Sequence, residues 1–412
     1  MRKIKKISTL ILIVMALTAM TGCQTLNNFV STWITHEAVE RSVIRIGVYE
    51  PLSGKDKEAG ELEKMGIELA HKLYPTVLGK EVELVYGDNQ SDVYVGETVA
   101  QDLVEKGVSV VLGSYGSVNS MVGAPIFSEA EIPAIAITNT NPLVTSNNPY
   151  YFRICFVESF QGIALAKYTV EKLGINQAAV LMPRNDDRAQ AVSQKFRDKM
   201  SQLTGNPDAV ALTVEFDSDI EDFTTQLTRI RDSGIKVCFV PAEVHDSIRI
   251  LNSAKQMDIK CLFLGTDDWE NEGILYQTGV EGAGSIAFST LFDEAAGTSE
   301  TDKFMQAFHG EYGAEAVPQN ATVLAYDAYL LAIKAIREAG TATRGELIAN
   351  QILMQHEFQG ASGSISFNEI GDPTKSVSIK TIIKDEFKTI YTVRPSWVVV
   401  SPEEFEKMKS NT

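Results

Sequence analysis

VSVVLGSYGSVNSMVGAPIFSEAEIPAIAIT, residues 108–138, is the stretch from which the fold can be read. It opens with an unbroken apolar run (108–113). A helical segment follows, from about Ser117 to Ala130, and then a second apolar run (132–138). Strands that are apolar without alternation are covered on both faces, as in parallel sheets wrapped by helices. The same order extends upstream. SVIRIGVY (42–49) reads as a strand and 58–74 as a helix with Leu62, Met65, Leu69, Ala70 and Leu73 on one face. EVELVYG (81–87) is a strand, and Ser91 is placed to cap a helix that ends at Lys106.

The pattern restarts after FRICF (152–156). It gives a helix over 159–173, a strand over 177–182, and helices over 189–203, 221–233 and 246–257. Between these helices lie strands over 209–216 and 236–241, and a strand over 260–265 follows the last. SIAFS (285–289), helices over 300–312, 322–339 and 345–355, GSISF (363–367), and strands over 377–384 and 387–393 complete the chain. The fold class is therefore α/β, with two doubly wound parallel-sheet units. The tail is too short for a third unit and adds to the first two.

The 412 residues are 44% hydrophobic and 22% charged, as in an ordinary soluble chain, and glycine and proline are scattered. Disorder and a polytopic membrane protein are excluded. The net charge of −17 repels phosphate backbones, so no nucleic-acid partner is expected. Residues 1–23 carry a basic start, a short apolar core and small residues before a cysteine, the plan of a secretory signal. Met20-Thr21-Gly22-Cys23 resembles a bacterial lipobox, which implies lipidation of Cys23 and attachment to the membrane from outside the cytoplasm, with 24–41 as a tether. Three cysteines remain, Cys155, Cys238 and Cys261. The last two are either free buried thiols or a bridge.

No HExxH, CxxC, GxSxG, Walker or GxGxxG pattern occurs, so no metal, cofactor or catalytic residue is expected, and a binding protein is favoured over an enzyme. In open parallel sheets a ligand sits beyond the carboxyl ends of the strands. The loops there are 50–58, 113–117 and 138–142 in the first unit, and 182–188, 241–246 and 265–269 in the second. Ser117 opens a helix whose free N–H groups suit a carboxylate; its hydroxyl either faces the ligand or caps the helix. Thr138 and Thr140 offer hydroxyls from the neighbouring loop. Asp267 either meets an ammonium or caps a turn. Arg188 either forks onto a carboxylate or pairs with Asp186 or Asp187 at the surface.

IRIGVYEPLSG, the 108–138 stretch, AYDAYLLAIKAIREAG (325–340) and FQGASGSISFNEIGD (358–372) together resemble the type I periplasmic binding proteins, in particular the branched-chain amino-acid and amide branch serving ABC importers. The resemblance implies a clamshell of two lobes joined by three crossovers near 156–158, 283–286 and 371–376. The N-terminal lobe would hold 42–157 with 285–372, the C-terminal lobe 158–284 with 373–400, and 401–412 would form a tail. It implies a small amino-acid-like ligand held by the 113–117 and 138–140 loops and by Asp267, and permease subunits as partners. A sensory lipoprotein on the same fold is the other reading. The family's aromatic positions are here Arg188 and the loop carrying Glu243, Val244 and His245, which points to a more polar ligand than a branched aliphatic one.

Overall fold

The computed structural model describes residues 42–393 apart from 147, 158, 218–219, 291, 293–297 and 369–370. The secretory signal, Cys23, the tether and the 401–412 tail lie outside the described residues. The first sheet is built from β1 (Val43–Glu50), α1 (Lys57–Leu73), β2 (Thr76–Val77), β3 (Lys80–Asp88), α2 (Val93–Glu105), β4 (Val110–Gly113), α3 (Ser117–Glu129), β5 (Ala134–Ala136) and β6 (Tyr151–Arg153). Its strand order is β2-β3-β1-β4-β5-β6. β1, β4, β5 and β6 run parallel, with Ile46 opposite Val110 and Ile135 opposite Phe152.

The second sheet begins after α4 (Ser159–Lys167). It is assembled from β7 (Ala178–Pro183), α5 (Asp187–Thr204), β8 (Val210–Phe216), α6 (Thr224–Ser233), β9 (Val237–Phe239), α7 (Val244–Gln256), β10 (Leu262–Gly265), α8 (Glu272–Gln277) and β11 (Ile286–Thr290). The chain continues through α9 (Ser299–Tyr312), α10 (Asn320–Ala339), α11 (Gly345–Leu353), β12 (Phe358–Gly360), β13 (Gly363–Phe367) and β14 (Pro373–Thr374). It closes with β15 (Val377–Ile383) and β16 (Glu386–Val393) on the second sheet, whose order is β16-β15-β11-β10-β9-β7-β8. β15 and β16 are antiparallel, so the tail adds an antiparallel edge to a sheet that is otherwise parallel. A tight hairpin between them supplies an edge that a parallel crossover would need a further helix to reach.

Both faces of the second sheet are covered. Cys238, Val240, Phe263 and Phe288 enter one apolar layer, and Val237, Phe239, Leu262 and Ala287 enter the other. Cys155, Cys238 and Cys261 are free and buried, so the two strand cysteines pack as small hydrophobes and form no bridge.

Three local readings are corrected. Asp92, not Ser91, caps α2 by accepting the N–H groups of Tyr94 and Val95. The Ser91 hydroxyl instead accepts the N–H of Asp56 at 3.0 Å. The helix expected over 159–173 is α4 followed by a π-helical turn, Tyr168–Lys172. The buried face of α1 is Gly60, Glu63, Gly66, Ile67, Leu69 and Ala70, one residue round from the apolar stripe, which leaves Leu73 exposed. The reason is backbone contact: a Cβ on Gly66 would lie 2.0 Å from the Thr322 carbonyl oxygen of α10. Close approach of two helices, rather than apolar side chains, chooses that face.

α10 also binds the closing turn. Asp327 Oδ1 accepts the Ala361 N–H at 2.5 Å, and Oδ2 accepts the Ser362 N–H at 2.8 Å and its hydroxyl at 2.5 Å. Lys375 Nζ donates to the same hydroxyl at 2.7 Å. Burial pushes Asp327 up to about 6, opposed by Ser362 and Lys375. It pulls Lys375 down to about 8, opposed by Asp327. Each charge makes the other's burial tolerable.

Candidate functional site

The carboxyl ends of the first sheet carry Glu50, Asp88, Gly113 and the segment after Ala136. Those of the second carry Pro183, the loop after Phe239, and Gly265 followed by Asp267. On the first edge, Asp88 holds the 50–58 loop through the Leu52 and Ser53 N–H groups (2.9 and 3.1 Å) and the Ser53 hydroxyl (2.6 Å). The carboxyl of Asp88 lies below the usual range: burial opposes ionisation, and these bonds with that of Gln90 outweigh it.

The 113–117 loop is tied down from four elements. The Tyr151 hydroxyl donates to the Gly113 carbonyl at 2.6 Å, Asn89 Nδ2 to the Ser114 hydroxyl at 2.7 Å, and the Ser114 N–H to the Ser120 hydroxyl at 3.1 Å. The Tyr115 N–H donates to Glu50 Oε2 at 2.7 Å. Gly113 is required twice over. Its φ is +107°, and a Cβ there would sit 2.2 Å from Glu50 Oε1. The helix cap is Gly116, without a side-chain bond, so Ser117 does not cap α3. Ser117 is half-buried at the first helical position, where the N–H groups have no partner within the helix.

The neighbouring loop is held by Glu63. Its Oε1 accepts the Thr138 hydroxyl at 2.5 Å. The Thr138 proton is thus committed, and its oxygen is left as an acceptor, suited to an ammonium rather than a carboxylate. Thr140, half-buried, follows two residues on. Behind this loop Arg153, fully buried, donates to the carbonyls of Asn139 (2.7 Å) and Asn141 (2.8 Å) and pairs with Asp372 at 2.6 Å.

Glu50 and Glu63 are both 0% exposed and near enough for the charge of Glu63 to act on Glu50. Two oxygens, Glu50 Oε1 and Glu63 Oε2, have no hydrogen-bond partner among the described residues. Adjacent buried carboxyls cannot both ionise cheaply. Glu50 is held well above the carboxylate range by burial and by the charge of Glu63, against the Tyr115 N–H. Burial lifts Glu63 to about 7, opposed by the Thr138 hydroxyl.

On the second edge Asp267 opens a short turn, Asp267–Trp269, capped by Thr266, so Asp267 is not the cap. The Gln161 side chain of α4 grips it, Nε2 to Asp267 Oδ1 at 2.5 Å and Oε1 from the Asp267 N–H at 2.9 Å; Ser289 donates to the same Oε1. Burial and the Asp268 charge raise Asp267 to about 7, opposed by Arg188 and Gln161. Arg188 pairs with Asp268. Asp186 caps α5 through the Ala189 N–H at 2.9 Å. Glu243, exposed, precedes α7 and its charge reaches Arg188. Charges from both edges act on Tyr115, a half-buried residue raised above its usual range by burial and then by Glu63, Asp56, Asp268 and Asp267. Sequence reasoning singled out Ser117, Thr138, Thr140, Arg188, Glu243 and Asp267, all at the carboxyl edges of the two sheets, but not Glu50, Glu63, Arg153 and Gln161, which brace the loops there. Among the described residues no cluster could hold a metal, and no helix is long and apolar enough to cross a membrane.

Residues 43–379 match the profile of the periplasmic binding protein family. The chain belongs to that family. It is 25% identical to a Leu/Ile/Val-binding protein homolog 2 from Brucella abortus over 81% of this chain and 88% of the relative. It is 23% identical to the leucine-, isoleucine-, valine-, threonine- and alanine-binding protein of Pseudomonas aeruginosa, over 80% and 87%. The crystal structure of the leucine-binding protein LivK from Thermotoga maritima superposes with a TM-score of 0.72 at 30% identity, covering 85% of this chain and 99% of that one. The fold is that of the type I periplasmic binding proteins, and members of this family bind solutes rather than transform them.

Glu63 carries a pH signature. Its folded value lies near 7 against 4.5 for an ordinary glutamate, so the folded state keeps a proton that the unfolded chain releases. Stability contributed here falls as pH rises from the unfolded value through the folded one. Glu63→Gln should therefore stabilise the protein at pH 8 by roughly 1–3 kcal/mol and much less at pH 5. Urea denaturation at both values checks this; an equal gain at both would show that Glu63 does not titrate in that window.

Proposed function

We propose that this protein captures a small α-amino acid between the carboxyl edges of its two sheets and delivers it to an ABC importer. The lobes follow the two sheets, closing about their crossovers; β11 (Ile286–Thr290) pairs within the second sheet, so the boundary expected at 285 moves past residue 290. The observation that carries the reading is the pairing of unlike ends across Tyr115. One edge presents the N-terminus of α3 with Ser117, and the other presents Asp267, which lacks a salt bridge among the described residues. A helix N-terminus suits a carboxylate and Asp267 suits an ammonium. Thr138, with its oxygen left as acceptor, and Thr140 support the ammonium side.

The side-chain end is polar. Arg188 with Asp268 offers both donors and acceptors, and Glu243 lies beside them. A side-chain amide satisfies both signs at once, so glutamine or asparagine should outcompete leucine, although the relatives are named for aliphatic amino acids. Thermal shift across the protein amino acids, followed by calorimetry, ranks them. Asp267→Asn should weaken the tightest ligand at least about tenfold, or about 1.4 kcal/mol, and Arg188→Ala should favour leucine. Undiminished affinity in Asp267→Asn would remove the ammonium assignment. Leucine bound most tightly by the unaltered protein would remove the polar pocket.

The protein is placed outside the cytoplasm and held to the membrane by lipid on Cys23, which the lipobox-like Met20-Thr21-Gly22-Cys23 supports. Cys23→Ser should partition into the aqueous phase of a detergent separation. Retention in the detergent phase would refute lipidation at this cysteine.

A further inference from the structure

Asp267, set above against the ligand ammonium, does not hold its own orientation. Gln161, fully buried in the first turn of α4, meets it twice. Its Nε2 donates to Asp267 Oδ1 at 2.5 Å, and its Oε1 accepts the Asp267 N–H at 2.9 Å. The Ser289 hydroxyl, from β11, donates to the same Oε1 at 2.5 Å. These partners decide which way the amide points. A main-chain N–H only donates, so the atom it meets is the amide oxygen, and the amide nitrogen is left for the carboxylate. No hydrogen bond reaches Asp267 Oδ2 among the described residues, and the residue keeps part of its surface accessible. We propose that Gln161 is a positioning residue that sets specificity for an α-ammonium group: it occupies one oxygen of Asp267 and turns the other toward the ligand. This role rests on the amino-acid reading above.

Both anchors lie beside crossovers. Gln161 stands near the start of α4, which follows the first, and Ser289 stands one residue before the end of β11, which precedes the second. β11 neighbours β10, the strand that leads into Asp267. The acid is therefore fixed from two elements to the part of its sheet next to the joints, and closure carries all three residues as one unit. Gln161 also favours the charged carboxyl. Partial burial and the Asp268 charge raise Asp267 to about 7, and the Arg188 charge and the Gln161 N–H oppose them. An ammonium needs a charged carboxylate with an unoccupied oxygen aimed at it, whereas a bare methylene at the same carbon does not. Misdirecting Asp267 thus weakens binding of an amino acid and leaves binding of its deaminated analogue as it was.

The probes are whichever protein amino acid gives the unaltered protein its largest thermal shift, and the carboxylic acid that lacks its amino group. Calorimetry of both gives a ratio of affinities. Gln161→Met keeps the length of the side chain and removes its polar contacts, and the ratio should fall about tenfold or more. Damage to the fold alone weakens both probes alike and leaves the ratio where it was. Ser289→Ala spares both contacts of Gln161 to Asp267 and removes only the brace on its amide, so the ratio should fall about threefold. An unchanged ratio in Gln161→Met, or in Ser289→Ala where the first variant does not fold, overturns the proposal. In an Asp267→Asn background Gln161→Met should change the ratio less than about twofold, because Gln161 acts through the acid. An equal loss in both backgrounds overturns the proposal as well. If the unaltered protein binds no amino acid, or binds both probes equally, the amino-acid reading itself fails. A ratio that favours the amino acid and survives Gln161→Met removes this role alone.

Discussion

Two buried carboxyls, Glu50 at the end of β1 and Glu63 in α1, hold the loops at the carboxyl edge of the first sheet. Neither is exposed, and no cation pairs with them among the described residues. Buried carboxyls are tolerated where donors meet their oxygens. Those donors are Tyr115 and Thr138. The cost of burial is thereby converted into order: the loops after β4 and β5 must sit where they can serve the carboxyls. The glycine at 113 follows from the same requirement, since a side chain there would displace Glu50.

The rest of the frame isolates this edge from slack. Arg153 and Asp372 clamp the loop after β5 from behind. Asp327 and Lys375 bind α10 to the closing turn that leads back to the second sheet. On the opposite edge Gln161 plays a comparable part for Asp267, gripping both its carboxylate and its N–H. Thr138 and Asp267, which the proposal sets against the ligand, are thus each backed by a buried polar partner from another element, which is how a site keeps its shape without a ligand.

Much of the architecture was legible because parallel strands announce themselves as unbroken apolar runs and because glycines end several helices. The rule that ligands sit beyond strand carboxyl ends then led to Ser117, Thr138 and Asp267. The supporting partners were hidden for a physical reason. Glu63 lies in a helix rich in charge and reads as a solvent-facing residue; only the glycine-mediated approach of α10 turns that face inward. Arg153 and Gln161 look like ordinary polar residues beside apolar ones, and nothing local reveals partners at 372 or 267. Arg188 was found, but its partner, Asp268, lies 80 residues away in sequence. Periodicity reports one face of one element, whereas these contacts belong to two.

The most direct test of the account is a crystal structure of the protein with its tightest-binding amino acid. The account predicts the ligand carboxylate at the N-terminus of α3 beside Ser117, the ammonium within hydrogen-bond distance of Asp267, and the Tyr115 and Thr138 contacts to Glu50 and Glu63 intact. A ligand bound in the reverse orientation, or outside the space between the two edges, would contradict it.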